Sequence, residues 1–189
     1  RDSIRKAFKQ IEQNEIVSSW KDSTISGILN FKISDYIKVP TYGCYRDIRK
    51  KQIVDVDVCI ENIWRIGGET GWYYANWLWR LRGFIDKIFG GVGLRRGRTN
   101  ISNIQAGDTL DFWRVLYANK ADKRLLLFAE MKLPGEAWLE FQIKDSWLIQ
   151  TATFRPKGLY GRIYWYAVLP LHGIIFRGMI NKITKSNTR

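Results

Sequence analysis

The spacing of apolar residues changes period several times along the chain, and each change marks a predicted element. Residues 1–13 place Ile4, Phe8 and Ile11 at helical spacing, whereas residues 21–52 are polar and irregular and predict a connector. Between residues 53 and 63, valine and isoleucine recur mainly at alternate positions, which predicts an extended segment ended by Gly67-Gly68. Residues 76–89 lack proline and predict a helix that stops at Gly90-Gly91. The apolar stripe of this helix contains Trp77, Leu81, Phe84, Ile85 and Ile88.

The second half of the chain has the pattern of an antiparallel meander followed by a helix. Strand-like runs cover 109–118, 123–133, 136–144 and 147–155, and 101–106 is a candidate for one more. Turn residues separate the runs at 119–122, 134–135 and 145–146. A long helix over about 160–184 carries one apolar stripe and is interrupted by Pro170. That stripe contains Trp165, Leu169, His172, Phe176, Met179 and Ile183.

The order of elements predicts an α+β fold of the helix-grip type. An antiparallel sheet with one apolar face must cover that face, and the last helix is the natural cover. In START-like and polyketide-cyclase-like proteins, a curved sheet of this kind wraps the terminal helix and leaves a cavity between them. We therefore expect a helix-grip (START-like) domain with a pocket under its C-terminal helix.

Composition adds a strong positive charge to this picture. The chain has 189 residues, enough for one domain, and its 31 Lys and Arg outnumber 18 acidic residues, giving a net charge of +13. Such an excess favours acidic partners, including nucleic acid, an anionic membrane surface or an acidic protein face, or it simply coats a soluble surface. Tryptophans interleaved with arginines at Trp77–Arg82 fit a nucleic-acid stacking platform, but helix packing explains them better. A membrane surface is possible and is not the favoured partner.

The chain shows no targeting segment, and we expect it to be cytoplasmic. No apolar run reaches the ~18 residues of a membrane span, because Pro170, His172 and Arg177 interrupt the segment 164–180 that comes nearest. The two cysteines, Cys44 and Cys59, lie far apart, so we expect reduced thiols without a disulfide or a metal site.

A block rich in Trp, Gly and Arg spans residues 64–98 and indicates a demanding local structure. Its end, with Arg95, Arg96 and Arg98, fits an anion site or an interdomain contact. A helix end followed by arginines paired with carboxylates is the favoured interpretation. The glycines there do not form a dinucleotide-binding fingerprint, since Arg96 occupies the third glycine position.

Catalytic candidates are few. His172 is the sole histidine, and it falls on the apolar stripe of the last helix, where a core role is the simpler explanation. A catalytic role would pair it with Glu130 or Glu140, because a desolvated carboxylate near an imidazole can transfer protons. We therefore expect little chemistry from this domain alone.

Several motifs containing rare residues occur in order and carry a family resemblance. They are Gly67-Gly68-x-x-Gly71-Trp72-Tyr73, Leu78-Trp79-Arg80-Leu81-Arg82-Gly83, Asp111-Phe112-Trp113-Arg114-Val115, Glu130-Met131-Lys132-Leu133-Pro134-Gly135, Ala137-Trp138-Leu139-Glu140-Phe141 and Tyr164-Trp165-Tyr166. Over about residues 50–183 the chain resembles the uncharacterised C-terminal domain found behind NAD(P)-binding, atypical short-chain dehydrogenase or epimerase-like domains in bacteria.

The resemblance implies where the chain divides into domains and which domain binds the cofactor. Residues 1–50 would be the tail of a preceding, absent dinucleotide-binding domain plus a linker, and residues 51–185 the helix-grip domain. NAD(P) would belong to the absent domain, and this chain would hold no cofactor of its own. The whole protein would then be an NAD(P)-dependent oxidoreductase or epimerase.

Two functions remain open for the domain itself. The first is a binding module for an apolar or amphipathic small molecule, held between the sheet and the last helix. Its expected lining is Trp113, Leu127, Met131, Phe141, Tyr164, Leu169, His172 and Phe176. The second is an interaction module that docks on the dinucleotide-binding domain and caps its substrate site.

Overall fold

A computed structural model describes residues 38–88, 90 and 103–185, all within one compact unit that begins at Tyr36. The residues predicted as an N-terminal helix, 1–13, lie outside the described part. In the described part, six strands form one antiparallel sheet in the order β1-β6-β5-β4-β3-β2. The strands are β1 (Tyr45–Gln52), β2 (Thr109–Leu110), β3 (Trp113–Asn119), β4 (Arg124–Ala129), β5 (Gly135–Lys144) and β6 (Trp147–Pro156). The helices are α1 (Val56–Trp64), α2 (Asn76–Ile88) and α3 (Gly158–Ile183).

The predicted meander is confirmed, and its turns use the residues that the sequence offers. Asp145 and Ser146 both have positive φ, 48° and 60°, as a tight two-residue hairpin between β5 and β6 requires. Between β3 and β4, the side chain of Asn119 accepts the backbone N–H of Ala121 at 2.9 Å. Residues 103–106, part of the candidate extra strand, form no strand.

The long C-terminal helix α3 lies on one face of the sheet, as predicted, and the fold is an α+β, helix-grip-like arrangement. Its buried side includes Trp165, Phe176, Met179 and Ile183. The sheet face beneath it, which we call the inner face, carries Leu125, Leu127, Leu139, Phe141 and Ala152 by strand alternation and register. These side chains and those of α1 form one continuous core.

The extended segment predicted from residue 53 onward is wrong. Residues 56–64 form helix α1, because Asp55 acts as its N-cap and accepts the backbone N–H of Val58 at 3.0 Å. The valines at 54, 56 and 58 suggested alternation, but the buried positions, Cys59, Ile60, Ile63 and Trp64, follow a helical period. The side chain of Asn62 then donates to the backbone carbonyl of Ile183 at 2.9 Å, which joins α1 to the end of α3.

The connector predicted over 21–52 is also wrong in its last part, where β1 forms the edge of the sheet next to β6. Its sequence, YRDIRKKQ, is too charged to resemble a core strand. Charged side chains are a common feature of edge strands, because they oppose pairing with other molecules. The inner-facing Lys51 donates to Oδ1 of Asn181 in α3 at 2.6 Å.

Helix α2 begins at the predicted residue and is described to Ile88, but it presents a different face to the core. Trp79, Gly83 and Asp86 are its buried residues, whereas Trp77 and Phe84 of the predicted stripe are 65% and 62% exposed. Asp86 is buried because its Oδ1 accepts the backbone N–H of Lys132 at 2.7 Å. The hydrogen bond of Asp86 and the stacking of Trp79 therefore determine which side of α2 is buried, although the predicted stripe contains more apolar residues.

The aromatic stacking that orients α2 is built around Trp72. Its ring is stacked on Trp79 and Phe112, with centroid separations of 4.8 Å and 6.4 Å, and its indole N–H donates to Oδ2 of Asp111 at 2.7 Å. Tyr73, Ala75 and Asp111 all have positive φ around it. Several adjacent backbone positions thus adopt a costly conformation where this ring is held.

Helix α3 has one further property that the sequence pattern concealed. Within the described residues it is long and apolar enough to cross a membrane, with a mean hydropathy of 1.3 over its most apolar window. Pro170, His172 and Arg177 interrupt the apolar run, as the sequence indicates, but they do not lower its average hydropathy enough to exclude a membrane span by length and composition alone. Only 28% of that window is buried in the protein.

We predict that the carboxylate of Asp111 stabilises the fold through the Trp72 indole. Asp111→Gly removes the acceptor without straining a backbone whose φ is 54°, and it should lower the free energy of unfolding by about 1–3 kcal/mol. Asp111→Asn keeps an oxygen acceptor and tolerates positive φ, so it should cost clearly less. Urea denaturation followed by circular dichroism measures both, and equal losses in the two variants would contradict this assignment.

A second prediction concerns two glycines on α3. A Cβ at Gly178 would overlap the ring of Tyr74, so Gly178→Ala should destabilise the protein by about 1–3 kcal/mol. Nothing lies within 4 Å of a Cβ at Gly173, so Gly173→Ala should be neutral or stabilise by up to about 1 kcal/mol through helix propensity. Thermal melts compare the two, and the cost of Gly178→Ala should shrink in a Tyr74→Ala background.

Candidate functional site

A cavity of about 470 Å³ lies between the sheet, α2 and α3. Its walls come from both helices, from β5 and β6, from the start of β3 and from the loop 131–134. Small residues on the inner face, Ala137 and Ala152, leave the space open where larger side chains would fill it. Exposed side chains of Leu81, Ile85 and Leu171 also line it, so the cavity reaches the surface between α2 and α3.

Aromatic rings form a continuous wall along the helices. Trp165 contacts His172 edge-on at a centroid distance of 5.3 Å, and His172 lies 4.8 Å from Phe176. Phe176 then approaches Trp79 at 6.4 Å, and Trp79 is stacked on Trp72. Rings are rigid and offer large apolar faces, so this wall suits a flat or chain-like apolar molecule.

His172 is uncharged at neutral pH in this setting. Burial lowers the pKa of its imidazole to about 4, because the charged form loses hydration; the nearby Asp47 raises the pKa and Arg49 lowers it. Asp47 is held by Arg49 at 3.0 Å. A neutral imidazole in an apolar wall can accept or donate one hydrogen bond to a ligand without adding a charge.

Three buried nitrogens in this region have no hydrogen-bond partner among the residues that the structure describes. They are Nε1 of Trp79, Nε1 of Trp113 and Nδ1 of His172, and all three residues line the cavity. An unmade hydrogen bond at a buried polar atom costs roughly 1–3 kcal/mol. Because all three border the cavity, a ligand held there would be able to supply their missing polar contacts.

The charged residues that line the cavity are basic. Arg82 and Lys132 contribute to the lining, and Nη2 of Arg82 donates to the backbone carbonyl of Lys132 at 3.2 Å. The described residues of the lining include no Asp and no Glu. The cavity therefore favours a neutral or acidic polar group over a cationic one.

The two carboxylates considered for catalysis lie elsewhere. Glu140 alternates with the inward-facing Leu139 and Phe141, so it projects from the opposite face of the sheet, where it accepts Arg124 at 2.7 Å. Glu130 accepts Nε of Arg114 at 2.8 Å, and both side chains are buried. Arg114 is aligned with Phe128 on that same opposite face. The structure thus places neither glutamate on the face that carries α3 and His172.

Neither cysteine thiol lies in the lining of the cavity. Cys44 and Cys59 are both free, and burial raises the pKa of Cys59 to about 12, which keeps it protonated. Among the described residues, no three or more His, Cys, Asp or Glu side chains are grouped so that they could hold a metal ion.

The structure places some of the residues expected to line the pocket in its lining and others elsewhere. Lining positions are occupied by Trp113, Met131, Tyr164, His172 and Phe176. Leu127 and Phe141 lie in the closed core, and Leu169 is 39% exposed and outside the lining. Arg95, Arg96 and Arg98, the expected anion or interdomain contact, fall outside the described residues.

Sequence reasoning missed Trp79, Arg82 and the alanines of the inner face. The Trp-Arg-Leu-Arg run at 79–82 was a visible signal, but only the packing of α2 on Trp72 shows which of its side chains face the cavity. An alanine in a strand carries no signal of a pocket until the opposite wall is known.

Comparisons with known proteins assign the chain to a family, but they do not indicate an activity. A family model described as protein of unknown function (DUF2867) matches residues 44–179. No curated protein matches significantly. Among solved structures, the crystal structure of Ara h 8.0201 is similar at 10% identity and a TM-score of 0.35, covering 75% of this chain and 98% of that one.

We predict that the protein loses stability in acid through His172. The unfolded imidazole binds a proton below about pH 6.5, but the folded one does so only near pH 4, so protons favour the unfolded chain between these values. Stability should therefore fall as the pH drops from 6.5 to 4, by up to about 3 kcal/mol, and His172→Phe should remove most of that fall.

The sole histidine gives a direct measurement of this pKa. Its imidazole proton signal, followed by nuclear magnetic resonance from acid to neutral pH, should titrate near pH 4. Titration at the ordinary value of 6.5 would contradict the burial of this ring.

Proposed function

We propose that this chain, which belongs to the DUF2867 family, is a binding module for an apolar or amphipathic small molecule held between the sheet, α2 and α3. The observation that carries the proposal is the aromatic-lined cavity with three partnerless nitrogens in its wall. Ligand pockets are typically about 300–1,000 Å³, mostly apolar, with a few polar groups that fix orientation. The cavity has each of these properties.

The lining also suggests the polarity of the ligand. The apolar body would lie against Trp165, Phe176 and the alanines of the inner face, where burying it from water supplies the affinity. A carbonyl, hydroxyl or carboxylate oxygen would accept the indole N–H groups of Trp79 and Trp113. An acidic group would in addition be attracted by Arg82 and Lys132. A long-chain carboxylic acid combines these features.

The catalytic part of the protein's activity would lie outside this domain. Glu130 and Glu140 are committed to arginines on the other face of the sheet, and His172 has no glutamate beside it in the aromatic wall. If the domain follows an NAD(P)-binding domain, as its motifs suggest, it would hold or shape the substrate of an oxidoreductase or epimerase whose chemistry the cofactor supplies.

The second candidate is an interaction module that docks on that preceding domain. The observation in its favour is the exposed apolar side of α2, where Trp77, Phe84 and Ile88 are 62–65% exposed. Hydrogen exchange in the longer protein distinguishes the two candidates. Docking should slow exchange along α2, whereas a binding module should change exchange around the cavity only when ligand is added.

We predict that partly filling the cavity weakens ligand binding without unfolding the protein. Ala152 lines the cavity from β6, so Ala152→Leu should weaken the binding of a fluorescent fatty acid, cis-parinaric acid, by about tenfold or more. Ala121→Leu makes the same change at an exposed turn and should bind like the original chain. Energy transfer from the tryptophans of the cavity wall, with Trp79, Trp113, Trp138 and Trp165 in the lining, reports occupancy.

Native mass spectrometry of the protein as purified adds an independent measurement, since a retained ligand appears as a mass increase. Absence of binding by the original chain, or equal binding by both alanine variants, would contradict the proposed function. Melting curves of both variants establish that they are folded.

A further inference from the structure

The outward side of α3 is an apolar surface that the described protein leaves uncovered. Leu159, Tyr160, Ile163, Tyr166 and Ile174 are each 57–81% exposed. Positions 159, 163, 166, 170 and 174 follow the helical period, so their side chains share one face, and position 170 is also exposed. We call this surface the outer α3 face. Single exposed apolar residues are common on protein surfaces, but a contiguous apolar surface along one helix indicates an interaction site.

Basic residues accompany the outer α3 face, and α3 contains no acidic residue. Arg162 lies within the apolar stretch, and Arg177 and Lys182 follow it toward the C-terminal end. An open groove adjoins the face there, sharing Pro170 and Ile174 with it.

The groove itself is cationic. Its basic lining residues are Arg49, Arg177, Lys182 and Lys185, and the described residues of its lining include no carboxylate. Of these, Arg49 is paired with Asp47. Arg177, Lys182 and Lys185 have no carboxylate partner among the described residues of the groove, so they form a positive surface beside the apolar outer α3 face.

We infer that the outer α3 face docks on an anionic lipid bilayer, with the helix lying in the plane of the interface. Apolar side chains would enter the boundary between headgroups and acyl chains, and the cationic groove would contact acidic headgroups. The phenol rings of Tyr160 and Tyr166 are amphipathic and suit the headgroup level. The net charge of +13 favours attraction to an anionic surface.

Crossing the bilayer is not compatible with the fold, although α3 has the length and hydropathy for it. Its other side packs Trp165, Phe176, Met179 and Ile183 into the core, so a spanning helix would have to leave the sheet. Only the outer half of the helix is available, which is the geometry of a surface-bound segment. This inference does not depend on whether the cavity holds a ligand.

The test is flotation of the 189-residue chain with vesicles of phosphatidylcholine alone or with about 30% phosphatidylglycerol. We expect binding to the anionic vesicles, little binding to the neutral ones, and weaker binding as salt rises from about 0.1 M to about 0.5 M. Ile163→Glu and Ile174→Glu should each weaken binding by at least about tenfold.

A matched control separates the apolar contact from the change in net charge. Val54→Glu alters the charge equally at a fully exposed apolar residue outside the outer α3 face, and it should bind nearly as the original chain does. Arg177→Gln with Lys182→Gln, which leaves the apolar part intact, should reduce binding to anionic vesicles and its salt dependence. All these positions are exposed, and circular dichroism establishes that the variants fold.

Three results would overturn the inference. One is no binding to anionic vesicles, and another is an equal loss in Ile163→Glu and Val54→Glu, which would mean attraction by net charge alone. The third is self-association in analytical ultracentrifugation that Ile163→Glu abolishes, which would assign the face to a second copy of the chain. None of these results bears on the binding of cis-parinaric acid in the cavity.

Discussion

The burial of the Trp72 indole, with its N–H bonded to the carboxylate of Asp111, is the interaction on which the arrangement of α2 depends. Burying a tryptophan costs least where its indole N–H finds an acceptor, and for Trp72 the acceptor comes from the turn between β2 and β3. The stacked pair of Trp72 and Trp79 then fixes which side of α2 faces inward. The positive φ of Tyr73, Ala75 and Asp111 is the conformational cost of holding the ring there.

The cavity follows from that arrangement. Trp79 rests on Trp72 and Phe112, while the inner face of the sheet opposite offers Ala137 and Ala152. Two close contacts limit how closely α3 can approach the rest of the domain. Gly161 lies directly against the carbonyl of Pro134, and Gly178 lies against the ring of Tyr74. Space remains where the two helices and the small strand residues meet, and unpartnered nitrogens line it. Binding a small molecule there would complete both the packing and the hydrogen bonding.

The structure separates three kinds of surface that a single helix sequence does not distinguish. One side of α3 joins the core, a second borders the cavity through His172, and the third is the apolar outer face with cations at its end. The buried ion pair of Arg114 and Glu130 lies on the other face of the sheet. The cavity and the apolar outer face thus lie on different sides of α3, so each can be altered without the other.

Sequence alone determined the α+β class, the meander with its turns, and the bounds of α2 and α3, because these depend on local periodicity and on turn residues such as Asp145-Ser146. It failed at β1 and α1, where the pairing of a charged edge strand and the cap at Asp55 outweighed the apparent pattern. Of the residues expected around a common space, the structure places Trp113, Met131, Tyr164, His172 and Phe176 in the lining of the cavity, whereas Leu127, Phe141 and Leu169 lie elsewhere.

Only the tertiary structure decided which side of α2 faces inward and where Glu130 and Glu140 lie. It also decided that the outer side of α3 stays exposed. The physical reason is that a side chain's partners come from distant parts of the chain, and periodicity does not contain that information.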